Sequence, residues 1–446
     1  MNDEHAGYWP SRWPGEDGGP RRLQRPPTGT GPGPALDAEH VDVRSRDAIA
    51  ATMVVLREPG EAFLLGHTFE PDATAWVERI DPITLETVIR SIDLPGGPAW
   101  PGGIAAHANG SLHVVFGNHA HRLDPDLTLL ASRELPRRLP HNSFVILPDG
   151  HLVTKDFGGI LPGEDPKTHA PPPAELLVLD PGSLDIVASC ALPEPSIARL
   201  SADGDTVYVV GTSTLFRAQW DGAHLTFDDG FAGRYRTMPG QTYGWDAVLA
   251  LGAAWFLDNG AGTELYAGTF RGLGVSTAPL HLVRVDLETA AVDLTEICGR
   301  PNGIVANPPL VDETRRIVVG YDSANGSLAA FDVAPDGSTA LRWRRDQNHA
   351  CHPLLFPDTG ELVTNDHDAT RMGDVIVVLD IESGEERVRV DTGSPLQSVL
   401  FPAAGFGRDL YSCSFSTVTR VAFREGRRGH DATDHVTESD KTRQSP

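Results

Sequence analysis

Cysteine is scarce: Cys190, Cys298, Cys351 and Cys413 are the only four in 446 residues, far apart and without a CxxC pair. That excludes a disulfide scaffold and points to a reduced compartment. No run of eighteen apolar residues occurs anywhere, so no membrane-spanning helix is expected. Basic residues are also few, 37 Lys and Arg against 61 Asp and Glu, for a net charge of −24. Such a chain repels phosphate backbones and anionic headgroups, which argues against nucleic acid and membrane surfaces as partners. A Gly-rich phosphate loop, a GxSxG elbow and an HExxH helix are all missing, which sets aside phosphoryl transfer and ordinary serine or zinc hydrolysis. No apolar run follows Arg21, Arg22 and Arg25 to form a leader, and a cytoplasmic location is expected.

What the chain does hold is turn residues, 46 Gly and 36 Pro, beside a 40% hydrophobic content. Helical proteins carry fewer turns, so an all-β chain is expected. At this length a repeat has to be sought first. One unit recurs: apolar stretch, Pro/Asp/Gly turn, apolar stretch ending in Asp or Asn, then two further strands about an Asp-Pro turn. Its inner half reads HNSFVILPDGHLVTKDF from His141 and CHPLLFPDTGELVTNDH from Cys351. Its outer half reads WVERIDPITLETVIRSIDLP from Trp76, LLVLDPGSLDIVASCALP from Leu176, LVRVDLETAAVDL from Leu282 and VVLDIESGEERVRV from Val377.

Inner strands are placed at Thr52, Gly102, Asn142, Ser196, Asp246, Asn302, Cys351 and Gln397. The spacing is that of four-stranded propeller blades, so the fold expected is an all-β propeller of eight blades. The number becomes seven if the short second unit or the terminal one is not a blade. The eighth copy has room for three strands before Phe423, and residues near Val41 to Arg44 would close the ring as its fourth, removing free sheet edges. The propeller is expected over residues 37–424. Residues 1–36 and 425–446 lack periodicity and are expected to be disordered tails.

In such a ring, inner-strand starts and second-strand ends share one channel mouth. That places His141, Asn142, Trp245, Asp246, Asn302, His349, Cys351, His352 and Gln397 at one opening, with Asp156, Asp258, Asp322, Asp366 and His367 beside them. Oxygen and imidazole ligands converging there suit a divalent cation: calcium, magnesium or manganese on Asp and Asn, zinc, iron or copper on His. A recurring Asp at a strand end also caps a turn through its own backbone. Burial is the alternative for Cys351, with His349 facing solvent. His119 and His121 lie on one side of a strand, as a metal pair or as two exposed histidines.

The segment RPNGIVANPPLVDETRRIVVGYDSANGSLAAFDV, Arg300 to Val333, resembles a blade of the regucalcin and gluconolactonase family. The resemblance implies a propeller whose channel holds a divalent cation through Glu, Asn and Asp, and lactone hydrolysis. Asn302 looks like the family's Asn ligand, and Asn142 and Asp246 are similar by position. The DPITL-type outer turns look like those of quinoprotein dehydrogenases, whose Trp docking motifs and adjacent cysteines are not found here.

The function expected is therefore a metal-dependent enzyme, a lactonase-like hydrolase or a lyase, acting on a small polar or carbonyl-containing metabolite. Asn142, Asp246 and Asn302 would hold the ion, Asp258 or Asp322 would act as base, and His141 or His352 would carry the proton or add a ligand. A non-catalytic scaffold propeller and a His-ligated iron or copper oxidoreductase are the alternatives.

Overall fold

Four of the recurring outer turns close in one way. Asp81, Asp180, Asp286 and Asp380 each accept, through Oδ1, the backbone N–H groups two and three residues on. The residue four places on, Leu85, Leu184, Ala290 or Gly384, takes a left-handed φ between 58° and 70°. Its N–H returns to the Asp carbonyl, at 2.9, 2.9, 2.9 and 2.8 Å. The carboxylate fixes the turn, and the left-handed residue lets the chain re-enter the sheet.

These turns join the outer two strands of the first, third, fifth and seventh of eight antiparallel sheets in the computed structural model, which describes residues 5–28, 41–161, 163–165 and 167–423. Seven blades run in sequence order. The first begins at Ala51–Leu56, the third at His141–Ile146, the fifth at Val248–Ala250 and the seventh at Leu354–Phe356. In the eighth, Val41–Asp47 pairs antiparallel with Thr417–Phe423, so the chain's first long strand closes the ring as its outermost strand. The expected eight blades and their closing strand are what the structure contains. Inner strands are buried on both faces, as in Ala51–Leu56, whereas an outer strand such as Leu129–Glu134 alternates half-buried and exposed residues. No described helix is long and apolar enough to cross a membrane.

The tail expected over residues 1–36 is corrected over its described part. Residues 5–28 enter the channel from the end where the first two strands of each blade turn, and bond to every blade there. Pro14, Trp13, Pro20, Arg21 and Gln24 accept, through their carbonyls, the N–H groups of Ala106, Leu56, Ala202, Leu249 and Leu355, at 2.7 to 3.0 Å. Tyr8 Oη accepts from Ile146 N, Gln24 Nε2 donates to Pro309 O, and Arg12 Nη1 donates to Gly407 O. Trp13 packs into the core at 2% exposure. The segment is thus a plug. Its Pro and Gly content suits an irregular path, broken by the short 3-10 turn Glu16–Gly18, whose backbone groups are satisfied by the inner strands. The expected tail over residues 425–446, and residues 29–40, lie outside the described residues.

Trp13→Ala should destabilise the fold by about 3–5 kcal/mol in denaturant titration, the range for losing a buried Trp. A tail would lose nothing. Asp374 gives a second expectation, in pH. Burial pushes its carboxyl up to about 7 despite bonds from Ser398 N and Asn365 Nδ2. The folded state therefore holds a proton that the unfolded chain releases near 4, and stability should fall as pH rises from about 4 to 7. Thermal melts of Asp374→Asn should lack that part of the fall.

Candidate binding site at the channel mouth

At the opposite end, where the inner strands begin, a cavity of about 240 Å³ opens at the channel mouth. One wall is the loop over residues 258–280, which leaves the fifth blade and crosses towards the eighth. Gln397 fastens it: Tyr266 Oη donates to Gln397 O at 2.6 Å, Phe270 N to Gln397 Oε1 at 2.8 Å, and Gln397 N to Gly268 O at 2.8 Å. Aromatic rings dominate the lining, with Trp100, Trp245, Tyr266, Phe270, Phe401 and Phe415. Trp100 stacks on Phe157 at 4.4 Å, and Phe157 leans on Trp245 at 6.0 Å, which fixes both indoles.

Two charged side chains line the cavity, Arg199 and Glu264. Glu264 stands exposed on a 3-10 turn, Thr263–Leu265. Arg199 is 5% exposed, with its guanidinium 4.5 Å from the centre of the Phe401 ring. Its Nη1 donates to Asn142 O and pairs with Glu16 Oε2 at 3.1 Å; its Nη2 donates to Pro101 O at 3.1 Å. Asp246 Oδ1 accepts from the Arg199 backbone N–H at 2.6 Å, while its Oδ2 has no hydrogen-bond partner and lies 3.9 Å from Arg199 Nε.

Beneath this floor the plug carries its own charges. Arg22 donates to Glu16 Oε2 and to Asp17 Oδ2, each at 2.8 Å, and Asp17 Oδ1 meets His352 Nδ1 at 2.9 Å. Burial alone would raise the Asp17 carboxyl, but His352 and Arg22 outweigh it and hold the group below its ordinary range. Lys155, also buried, donates to Asp156 O and Ser196 O, and burial together with the nearby Arg199 and Arg22 pushes it down to about 8. A Cβ at Gly103 would overlap Glu16 Oε1, so glycine is what lets the plug approach the second blade.

None of the four expected catalytic residues lines the cavity. Asp258 is a clasp within its blade, accepting from Gln241 Nε2 and from both the N–H and the ring of His281. Asp322 ties the Pro301–Ile304 turn through Ile304 N and Asn325, and burial raises its pKa. His141 bonds Thr154 Oγ1, and burial, with Lys155 and Arg137 nearby, lowers it to about 3, which leaves it neutral at physiological pH. His352, on the seventh blade, is bonded to the plug through Asp17.

Of the expected metal ligands, Asn142 and Asp246 meet at Arg199, but Asn302 lies apart from them. It sits exposed in a turn at φ 58°, with its N–H on Ser276 O. Among the described residues, no three His, Cys, Asp or Glu side chains group to hold a metal. The Arg199 guanidinium already places a positive charge against the Asn142 backbone carbonyl and Asp246, while Asn142 Oδ1 and Asp246 Oδ2 are buried without a hydrogen-bond partner.

The other candidates have local duties. His349 is buried rather than solvent-facing, accepts Asn365 N through Nδ1, and is lowered to about 3 by burial. His119 and His121 hold the carbonyls of Gly96 and Pro95. Asp156 accepts the N–H of Gly158 two residues on, the turn-capping alternative, whereas Asp366 accepts that of Asn348, eighteen residues back in the chain. Arg199, Glu264 and Glu16 were not singled out from sequence. The signal for Arg199 was present: it follows the Ser196 marker by three residues, a lone cation among inner-strand starts.

No protein-family model matches the sequence, and no curated protein does. Solved structures do. The quinohemoprotein alcohol dehydrogenase of Comamonas testosteroni is 10% identical with a TM-score of 0.62, over 98% of this chain and 83% of that one. BamB from Moraxella catarrhalis is 12% identical with a TM-score of 0.55, over 87% and 99%. A europium-containing methanol dehydrogenase is 9% identical with a TM-score of 0.57, over 92% and 90%. At these identities the likeness is one of fold.

Burial pushes the Cys351 thiol well above its ordinary value, which disfavours the reactive thiolate. Native protein treated with iodoacetamide at pH 8 should leave Cys351 unmodified by mass spectrometry, and unfolded protein should alkylate it fully. Alkylation of the native thiol would show an open channel instead.

Proposed function

We propose that this propeller binds a small metabolite with a flat apolar body and a carboxylate or carbonyl end, and acts on that carbonyl as a hydrolase or lyase. The observation that carries the proposal is the buried guanidinium of Arg199 in the lining of an aromatic cage. Pockets of this composition take their affinity from apolar contact and their orientation from a few placed polar groups. Guanidinium suits a planar oxygen anion, and an aromatic surround weakens the water that would compete.

Chemistry follows from the same pair of charges. Arg199 supplies the positive charge that a metal ion supplies in lactonase-type sites, polarising a carbonyl and stabilising the oxyanion formed on attack. Glu264 is the carboxylate lining the cavity, placed to take a proton from an attacking water or from a carbon next to the carbonyl. The resemblance over Arg300–Val333 supports a carbonyl substrate, because Ala306 and Asn307 of that segment line the same cavity.

The scaffold alternative has an observation of its own. Phe69 and Met372 are 58% and 60% exposed on loops at the mouth end, apolar surface that would suit a docking protein.

Intrinsic Trp fluorescence titrated with 2-naphthoate and with 2-naphthamide tests the binding. Naphthoate should bind more tightly, and Arg199→Gln should weaken it by about 10–100-fold, the equivalent of about 1.5–3 kcal/mol for a charged hydrogen bond, with little change for the amide. Dihydrocoumarin, an aromatic lactone, tests the reaction. Glu264→Gln should abolish its hydrolysis while leaving naphthoate binding within about twofold of the wild type. If neither naphthalene probe binds, the proposal fails.

A further inference from the structure

We propose that Glu16, carried in by the plug, is the positioning residue that keeps Arg199 presented to the cavity by holding its guanidinium away from Asp246. This rests on the reading of Arg199 as the ligand's charge partner. Two carboxylates compete for that guanidinium. Glu16 Oε2 is 3.1 Å from Nη1. Asp246 Oδ2 is 3.9 Å from Nε, fully buried, and without any hydrogen-bond partner.

A buried carboxylate oxygen left unpaired beside a guanidinium is a poised alternative, because a direct charge-assisted bond would satisfy both groups. What prevents it is the set of acceptors on the other side. Asn142 O and Pro101 O hold the Nη atoms, and Glu16 adds the charge. Glu16 is itself immobilised: the same oxygen accepts from Arg22 Nη2 at 2.8 Å, and Arg22 Nε is bonded to Leu200 O at 2.6 Å. Since Leu200 follows Arg199 in the chain, the plug grips the backbone and the side chain of one short segment together.

Removing the charge of Glu16 should therefore let Arg199 turn to Asp246 and leave the cavity its aromatic walls alone. In full-length Glu16→Gln, affinity for 2-naphthoate should fall by about tenfold while affinity for 2-naphthamide stays within about twofold. Adding Asp246→Asn to that variant removes the competing carboxylate and should restore naphthoate binding to within about threefold of the wild type.

A merely structural Glu16 would instead weaken both probes together and would not be rescued, and either result overturns the proposal, as does unchanged naphthoate binding in Glu16→Gln. Asp246→Asn alone covers the case in which Glu16→Gln does not fold. It should leave naphthoate binding equal or tighter; weaker binding would assign the positioning to Asp246 and sink the idea. A wild type that binds both probes equally would fail the charge-partner reading itself, and is distinguished from these outcomes because no variant enters it.

Discussion

Arg22 carries its charge at 1% exposure, and it does so because Glu16 and Asp17, on the same short segment, fold back onto it inside the channel. A lone buried guanidinium would cost several kcal/mol, and breaking such a pair typically costs about 3–5 kcal/mol. The cluster adds little net stability over an apolar filling. Its consequence is register. Asp17 must find His352 on the seventh blade, Glu16 must find Arg199 before the fourth, and Arg22 must find Leu200. Only one depth and one rotation of the plug satisfy all three.

That single seating makes the channel asymmetric. One end is filled by residues 5–28, whose backbone bonds reach the inner strands of every quarter of the ring. The other end keeps an aromatic cavity whose floor is the top of the same charge network. The chain as a whole is strongly acidic, yet the cavity floor presents a cation. On the proposed reading, a small anion is disfavoured over most of the surface and accepted at one point, which is an arrangement for selectivity more than for capture rate.

The fold was legible because its signals are local and repeated. The LVT-x-D endings at Leu152–Asp156 and Leu362–Asp366 are second strands in the structure, and the turns after Asp81, Asp180, Asp286 and Asp380 share one hydrogen-bond pattern. Closure by Val41 was legible by counting, since the last blade lacked a strand. The plug was not legible. Its composition is that of a linker, and its order comes from bonding to eight partners brought together only by the finished ring. The site suffered from the same blindness. Strand-end aspartates such as Asp258 and Asp322 share a place in the repeat and look convergent, but side chains at that place turn into their own blades. Arg199 and Glu16 have no repeat equivalents to mark them, and Glu264 sits in an irregular loop.

The most direct measurement is a crystal structure of the protein soaked with 2-naphthoate. The carboxylate should lie against the Arg199 guanidinium with the rings among Trp100, Tyr266 and Phe401, and residues 5–28 should fill the far end of the channel. A ligand held elsewhere, or a channel open at both ends, would contradict the link between plug and site.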